Sequence, residues 1–204
     1  MNHRYIIFTG APGSKWSSVV KNIYWSADID QSDYTTDRQY YHDADTPGQK
    51  QLMHLGAYWD PGMEFEPTEW NEPFTLKKIN WEQLDLKRII KSHVFAYELN
   101  RFKDQYPIVM VYRNDVDCLE WWKKCGHFNI TYPLYASYYK DLNNMWDEIQ
   151  KQNKSIMQFV KSNYEKITQP KNNVELCQTL EIELPEDLQV HNYTEKDIKV
   201  YVYK

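Results

Sequence analysis

Along the first 125 residues, apolar and polar positions fall into blocks with two different periods. Residues Arg4-Tyr5-Ile6-Ile7-Phe8-Thr9 form a short run, apolar through its middle, that stops at Gly10. A run of this length bounded by glycine predicts a strand buried on both faces that enters a turn. Beyond the turn, Val19, Val20, Ile23 and Tyr24 recur at helical spacing, which predicts a helix beginning at Trp16 or Ser17. Strand, glycine turn and helix in this order open a βαβ unit.

The same alternation returns further along. Residues 88–93 are strand-like, and Leu99 and Phe102 mark a helical stretch over residues 95–103. Pro107-Ile108-Val109-Met110-Val111-Tyr112 predicts a more apolar strand, leading through Arg113 into a helix that carries Val116, Leu119 and Trp122, with Asn114 or Asp115 as its cap. Repeated strand and helix predict an α/β domain with a central parallel sheet. In the C-terminal third, Leu142, Met145, Trp146, Ile149, Ile156, Phe159 and Val160 describe one face of a long helix ended by Gln169-Pro170. Such a stripe is core. Residues 174–180 predict a short helix and residues 198–203 a terminal strand, so the C-terminal third is mainly helical.

Two stretches interrupt this pattern. Residues 26–45 are polar, rich in Tyr and Asp and without period, and predict a long loop or lid. Residues 49–58, with Leu52, Met53 and Leu55, predict a short helix stopped by Asp60-Pro61-Gly62, before a second irregular stretch that runs to Pro73. These two loops are the expected specificity elements.

A length of 204 residues fits one domain over residues 1–204. The net charge of -5, with acids interleaved among the bases, provides no basic stripe for a nucleic-acid partner. No apolar run approaches the roughly 20 residues that cross a bilayer, and the N-terminus leads directly into the first strand; the expectation is a cytoplasmic protein with no membrane partner. Cys118, Cys125 and Cys177 are odd in number and lack metal-ligand spacing, so they are expected to be reduced thiols.

Of only six glycines, Gly10 and Gly13 fall within four residues of each other, in Gly10-Ala11-Pro12-Gly13-Ser14-Lys15-Trp16-Ser17-Ser18. A turn between a strand and a helix N-terminus aims backbone N–H groups at one spot, and the helix dipole adds positive potential there. Lys15 adds a full charge; Ser14, Ser17 and Ser18 add hydroxyl donors. This is an anion site of P-loop type. It does not match the ATP loop, in which Gly-Lys-Ser or Gly-Lys-Thr follows four residues after the first glycine, because Ser14 precedes Lys15 and Trp16 follows it.

The stretch instead resembles the 5′-phosphosulfate loop of sulfotransferases. Pro12 and Ser14 match that pattern and Ser17 stands at its final hydroxyl, while Gly13 and Lys15 exchange the family's basic residue and glycine. Arg88-Ile89-Ile90-Lys91-Ser92-His93 is similar to the family's strand that ends in its lysine and general-base histidine. Residues 107–114 resemble the strand that delivers the arginine and asparagine of the 3′-phosphate motif. The resemblance covers residues 4–125. It implies a three-layer P-loop NTPase-like fold and 3′-phosphoadenosine 5′-phosphosulfate as sulfuryl donor, with adenosine 3′,5′-bisphosphate as product, no metal and an acceptor hydroxyl or amine of unspecified kind.

Carried onto this chain, His93, Lys91 and Lys15 are the implied catalytic residues. Pro12, Gly13, Ser14, Lys15, Trp16, Ser17, Ser18 and Arg113 are the implied donor-binding residues. His93, of a residue type that titrates near about 6.5, would be neutral at cellular pH and accept the acceptor's proton. Trp16 stands either on the adenine or in the core. Trp121 occupies the position where the family has a serine on the 3′-phosphate, so recognition of that phosphate falls to Arg113, with Lys123 or Lys124. Two alternatives stay open: a divergent P-loop nucleotide kinase, which would need magnesium, and a non-catalytic nucleotide-binding protein on the same fold.

Overall fold

A computed structural model describes residues 5–31, 39–43, 50–55, 86–124 and 140–204. The sheet at its centre has five strands: β1 (Tyr5–Gly10), β4 (Arg88–Lys91), β5 (Ile108–Arg113), β6 (Ile167–Thr168) and β7 (Ile198–Tyr203). Their order is β4-β1-β5-β7-β6. β1 pairs in parallel with β4, from Tyr5 opposite Arg88 to Phe8 opposite Lys91, and with β5, from Ile7 opposite Ile108 to Gly10 opposite Val111. The first strand is therefore flanked on both edges.

Covering both faces explains why β1 and β5 read as near-continuous apolar runs. On one side, Ile6, Phe8, Val109 and Val111 pack with Val19, Val20 and Ile23 of helix α1 (Trp16–Ile23). On the other, Ile7, Ile90, Ile108 and Met110 meet a 3₁₀ turn (His93–Tyr97) and a short helix α2 (Leu99–Phe102) through Val94, Phe95, Leu99 and Phe102. Helix α3 (Asp115–Lys124) adds Cys118 and Trp122 to the first core. The long helix α4 (Leu142–Ser162) serves both, with Met145 and Ile149 in the first and Ile156, Phe159 and Val160 in the second. Helix α5 (Asn173–Leu180) closes the first core with Leu176, Cys177 and Leu180.

The caps follow the sequence where polar residues precede an apolar stripe. Asn114 accepts from the Val116 N–H at 2.9 Å, Asp141 from Asn143 and Asn144 at 2.9 Å each, and Asn172 from Glu175 at 2.8 Å. α4 stops at Ser162, ahead of Gln169-Pro170, and the Asn163 side chain donates to the Phe159 carbonyl at its end.

Three expectations are corrected. The sheet is mixed: β7 runs antiparallel to β5 and β6 antiparallel to β7, because an apolar run specifies a buried strand and not its direction. Residues 50–55 form a strand, β3 (Lys50–Leu55), where a helix was expected; it pairs antiparallel with β2 (Gln39–Asp43), inside the stretch read as loop. Leu52, Met53 and Leu55 span too short a window to separate the two periods, and the partner strand decides. The stretch after β4 is likewise a 3₁₀ turn and then a four-residue helix. Most of the two expected specificity loops, and Cys125, lie outside the described residues.

Among the described residues no helix is long and apolar enough to cross a membrane. Cys118 and Cys177 are free and buried, and burial pushes their thiols up to about 12 and about 11.

The outer edge of β4 is held by the segment after α1. Ile29 bridges Lys87, the Asp30 N–H donates to the Lys87 carbonyl at 2.7 Å, and Arg88 Nη1 meets the Asp30 carboxylate at 2.8 Å with both side chains almost wholly buried. Removing one partner of a buried pair leaves a desolvated charge. Asp30→Ala is expected to lower unfolding stability by about 3–5 kcal/mol in urea denaturation; a change below about 1 kcal/mol would show that the pair does not secure this edge.

Candidate functional site

The carboxyl ends of β4, β1 and β5 lie side by side, and each continues into a segment singled out in the sequence. Ser92 and His93 follow β4, residues 11–15 link β1 to α1, and Arg113 closes β5. Ligands of open α/β sheets bind at this edge.

The loop after β1 is shaped by its two glycines. A Cβ on Gly10 would stand 2.6 Å from Ser14 Oγ and 2.8 Å from the Val111 carbonyl oxygen. Gly13 has φ +79°, and a Cβ there would lie 2.0 Å from the Cys118 carbonyl oxygen. The loop is thus pressed onto β5 and α3. Pro12 is buried within it. The Ser14 N–H closes a turn on the Ala11 carbonyl at 3.0 Å, and Lys15, in the left-handed region at φ 63°, caps α1 with no side-chain hydrogen bond. Ser18 N–H donates to the Lys15 carbonyl at 2.9 Å; the N–H groups of Gly13, Lys15, Trp16 and Ser17 find no backbone carbonyl among the described residues. These are orphan donors of the loop and the helix start, on residues that include the left-handed Gly13 and Lys15, the backbone form of an anion nest.

Side chains around the nest are likewise unsatisfied. Ser14 is fully buried and its Oγ has no partner, and the Ser18 Oγ is in the same condition. Ser17 is half-buried. Arg113 is only 8% exposed; its Nη1 donates to the Asp117 carbonyl at 2.7 Å and the Gly13 carbonyl at 3.4 Å, while Nε has no acceptor. Neither neighbouring acid neutralises it. The Asp115 carboxylate accepts from Asn153 Nδ2 at 2.6 Å, and Asp117 meets Arg113 through its backbone oxygen. Among the described residues no carboxylate pairs with this guanidinium, and a buried cation beside unpaired N–H groups favours an incoming anion. Lys15 stands at the same side, its ammonium 4.7 Å from the centroid of the Trp121 ring, its pKa lowered first by burial and then by Arg113.

On the β4 side the constellation differs. His93 is 2% exposed and its Nδ1 lies 2.5 Å from the Gly10 carbonyl oxygen. A carbonyl only accepts, so Nδ1 carries the proton and the lone pair of the neutral ring sits on Nε2. The His93 carbonyl in turn accepts from Thr9 Oγ1 at 3.1 Å, and the Ser92 N–H donates to Phe8 at 3.2 Å. The Trp16 ring packs 4.6 Å from the His93 ring, and the fully buried Lys91 lies with its ammonium 4.6 Å from the Trp16 centroid. At 4% exposure Trp16 is a core residue, which leaves it no face for an adenine.

The residues of the loop, Lys91, His93 and Arg113 therefore meet at one edge, in two groups, while Lys123 is exposed and paired with Glu120. Lys91, His93 and Trp16 form one; Lys15 joins Arg113 and Trp121 in the other, and not Lys91 and His93, with which the sequence had grouped it. Sequence reasoning missed Asn153, whose Nδ2 also donates to the Arg113 carbonyl at 2.8 Å and fixes the end of β5. Its signal was a buried asparagine in the apolar stripe of α4. A separate cavity of about 800 Å³ lies at the far end of α1, between Lys21, Asn22, Trp25, Glu183 and residues 185–189, and shares no residue with the loop.

No family model, curated protein or solved structure matches the chain. The functional reading therefore stands on the site's own chemistry. For the loop, Gly13→Ala is expected to cost about 2–4 kcal/mol, since a side chain there is both strained and overpacked. Chemical denaturation measures this, and a loss under about 0.5 kcal/mol would mean that the loop does not need the close approach to α3.

Proposed function

We propose that the chain is a sulfotransferase on a three-layer, P-loop-type α/β domain, moving a sulfuryl group from 3′-phosphoadenosine 5′-phosphosulfate to an acceptor hydroxyl or amine. The observation that carries this reading is the hydrogen bond between His93 Nδ1 and the Gly10 carbonyl: it joins two segments 83 residues apart, base and anion loop, at adjacent strand ends.

In this reading His93 Nε2 takes the acceptor's proton as the acceptor oxygen or nitrogen bonds to sulfur. The bond from sulfur to the bridging oxygen breaks, and negative charge collects on the departing phosphate. The N–H groups of Gly13, Lys15, Trp16 and Ser17, the Ser14 and Ser18 hydroxyls and Lys91 are the donors that would stabilise this charge. Positioning and electrostatics supply the catalysis, as they do in phosphoryl transfer. Arg113 and Lys15 form the second cationic group, suited to the 3′-phosphate. Trp16 over the His93 ring favours a second reading, a nucleotide-binding protein without transfer, because the indole narrows access to the imidazole.

The test is donor turnover, followed as release of adenosine 3′,5′-bisphosphate in the presence of hydroxyl- and amine-bearing acceptors and without magnesium, next to thermal shift with the same bisphosphate. His93→Asn keeps a donor for the Gly10 carbonyl and removes the base. It is expected to lower turnover by at least about 100-fold and to leave the bisphosphate-induced rise in melting temperature intact. Undiminished turnover in His93→Asn would remove the base assignment; a thermal shift without turnover in the parent chain would select the second reading.

A further inference from the structure

We propose that Trp121 is the base-reading residue of this site: the indole face that bears the Lys15 ammonium is the stacking surface for the aromatic heterocycle of a nucleotide, and Lys15 exchanges from the ring to the nucleotide's anion. This rests on the reading of residues 10–18 as a nucleotide anion cradle.

Trp16 and Trp121 are the tryptophans that adjoin the loop among the described residues. Trp16 is 4% exposed and engaged by both His93 and Lys91. Trp121 differs in each respect. It is only half-buried and stands on α3, one turn beyond Cys118, whose carbonyl meets Gly13 so closely that no side chain fits between them. The indole is thus carried to the cradle by the contact that shapes the loop. The Lys15 ammonium stands over its ring, and an ammonium can leave.

The magnitudes favour exchange. A cation on a partly exposed aromatic face shifts an equilibrium by about two- to fivefold, whereas stacking a base on an aromatic side chain gains about 5- to 100-fold. Lys15 is also poorly placed where it is: burial and the adjacent Arg113 both disfavour its charge. An anion in the nest relieves that repulsion while the base takes over the ring. A base-free anion would gain the first effect and not the second.

Calorimetric titration of the full chain with adenosine 3′,5′-bisphosphate and, separately, with inorganic pyrophosphate separates the two. In the parent chain the nucleotide is expected to bind at least about tenfold tighter than pyrophosphate. Trp121→Ala should weaken the nucleotide about tenfold or more and leave pyrophosphate unchanged or up to about fivefold tighter. Trp121→Phe, which keeps a ring, should stay within about threefold for both ligands. Should the alanine variant fail to fold, Trp121→Leu replaces it, being apolar and without a π face, with the same expected loss. Equal weakening of both ligands would show that Trp121 acts only through Lys15 and overturn the proposal, as would an unaffected nucleotide. Pyrophosphate binding with no preference for the nucleotide refutes base reading and leaves the anion cradle standing; binding of neither ligand removes both.

Discussion

β1 is hydrogen-bonded on both edges and still has to turn into a helix within five residues of its end. That constraint organises the molecule. With β4 and β5 fixed in parallel register on either side, the turn at residues 11–15 has no lateral freedom: its start at Gly10 lies against the Val111 carbonyl, and Gly13 lies against the backbone of Cys118. Only glycine fits at positions 10 and 13. The same crowding leaves the Gly10 carbonyl facing the start of the next segment along the edge, where His93 binds it. Loop shape, histidine orientation and the seating of α3 are consequences of one strand being central.

Charge at this edge is arranged around aromatic rings. Lys91 lies over the Trp16 ring and Lys15 over the Trp121 ring, where Lys15 stays close enough to Arg113 for the guanidinium to disfavour its charge. Each contact is weak, yet partial burial raises its value over that of an exposed pair. Among the described residues, the hydrogen-bond partners of Arg113 are backbone oxygens. A buried guanidinium with no carboxylate among the described residues is costly to folding, and proteins concentrate such costs where a ligand relieves them. The nest of N–H groups and the two orphaned serine hydroxyls lie at the same place.

Support for the site comes from the far side of the sheet. Asn153 on α4 donates both to the carbonyl of Arg113 and to the carboxylate of Asp115, and Ser155, two residues on, donates to the carbonyl of Ala96 in the turn after His93. One helix thereby ties the ends of β5 and of the β4 segment, the two flanks of the loop. The relative placement of His93 and Arg113 is set by this strut as well as by strand pairing.

Local order was legible in the chain alone. β1, α1, β4, β5, α3, the long α4, α5 and β7 all correspond to runs or stripes whose period can be read, because burial on both faces or along one face imprints itself on consecutive residues. The candidate loop was legible for the same reason: Gly10, Gly13, Lys15 and the serines are neighbours in sequence. Tertiary structure decided what pairwise pattern cannot encode. The direction of β7, the pairing of residues 50–55 with 39–43, the core role of Trp16 and the transfer of Lys15 from the His93 group to Arg113 and Trp121 each depend on a partner remote in the chain, and an apolar or charged residue carries no record of which remote partner it will meet.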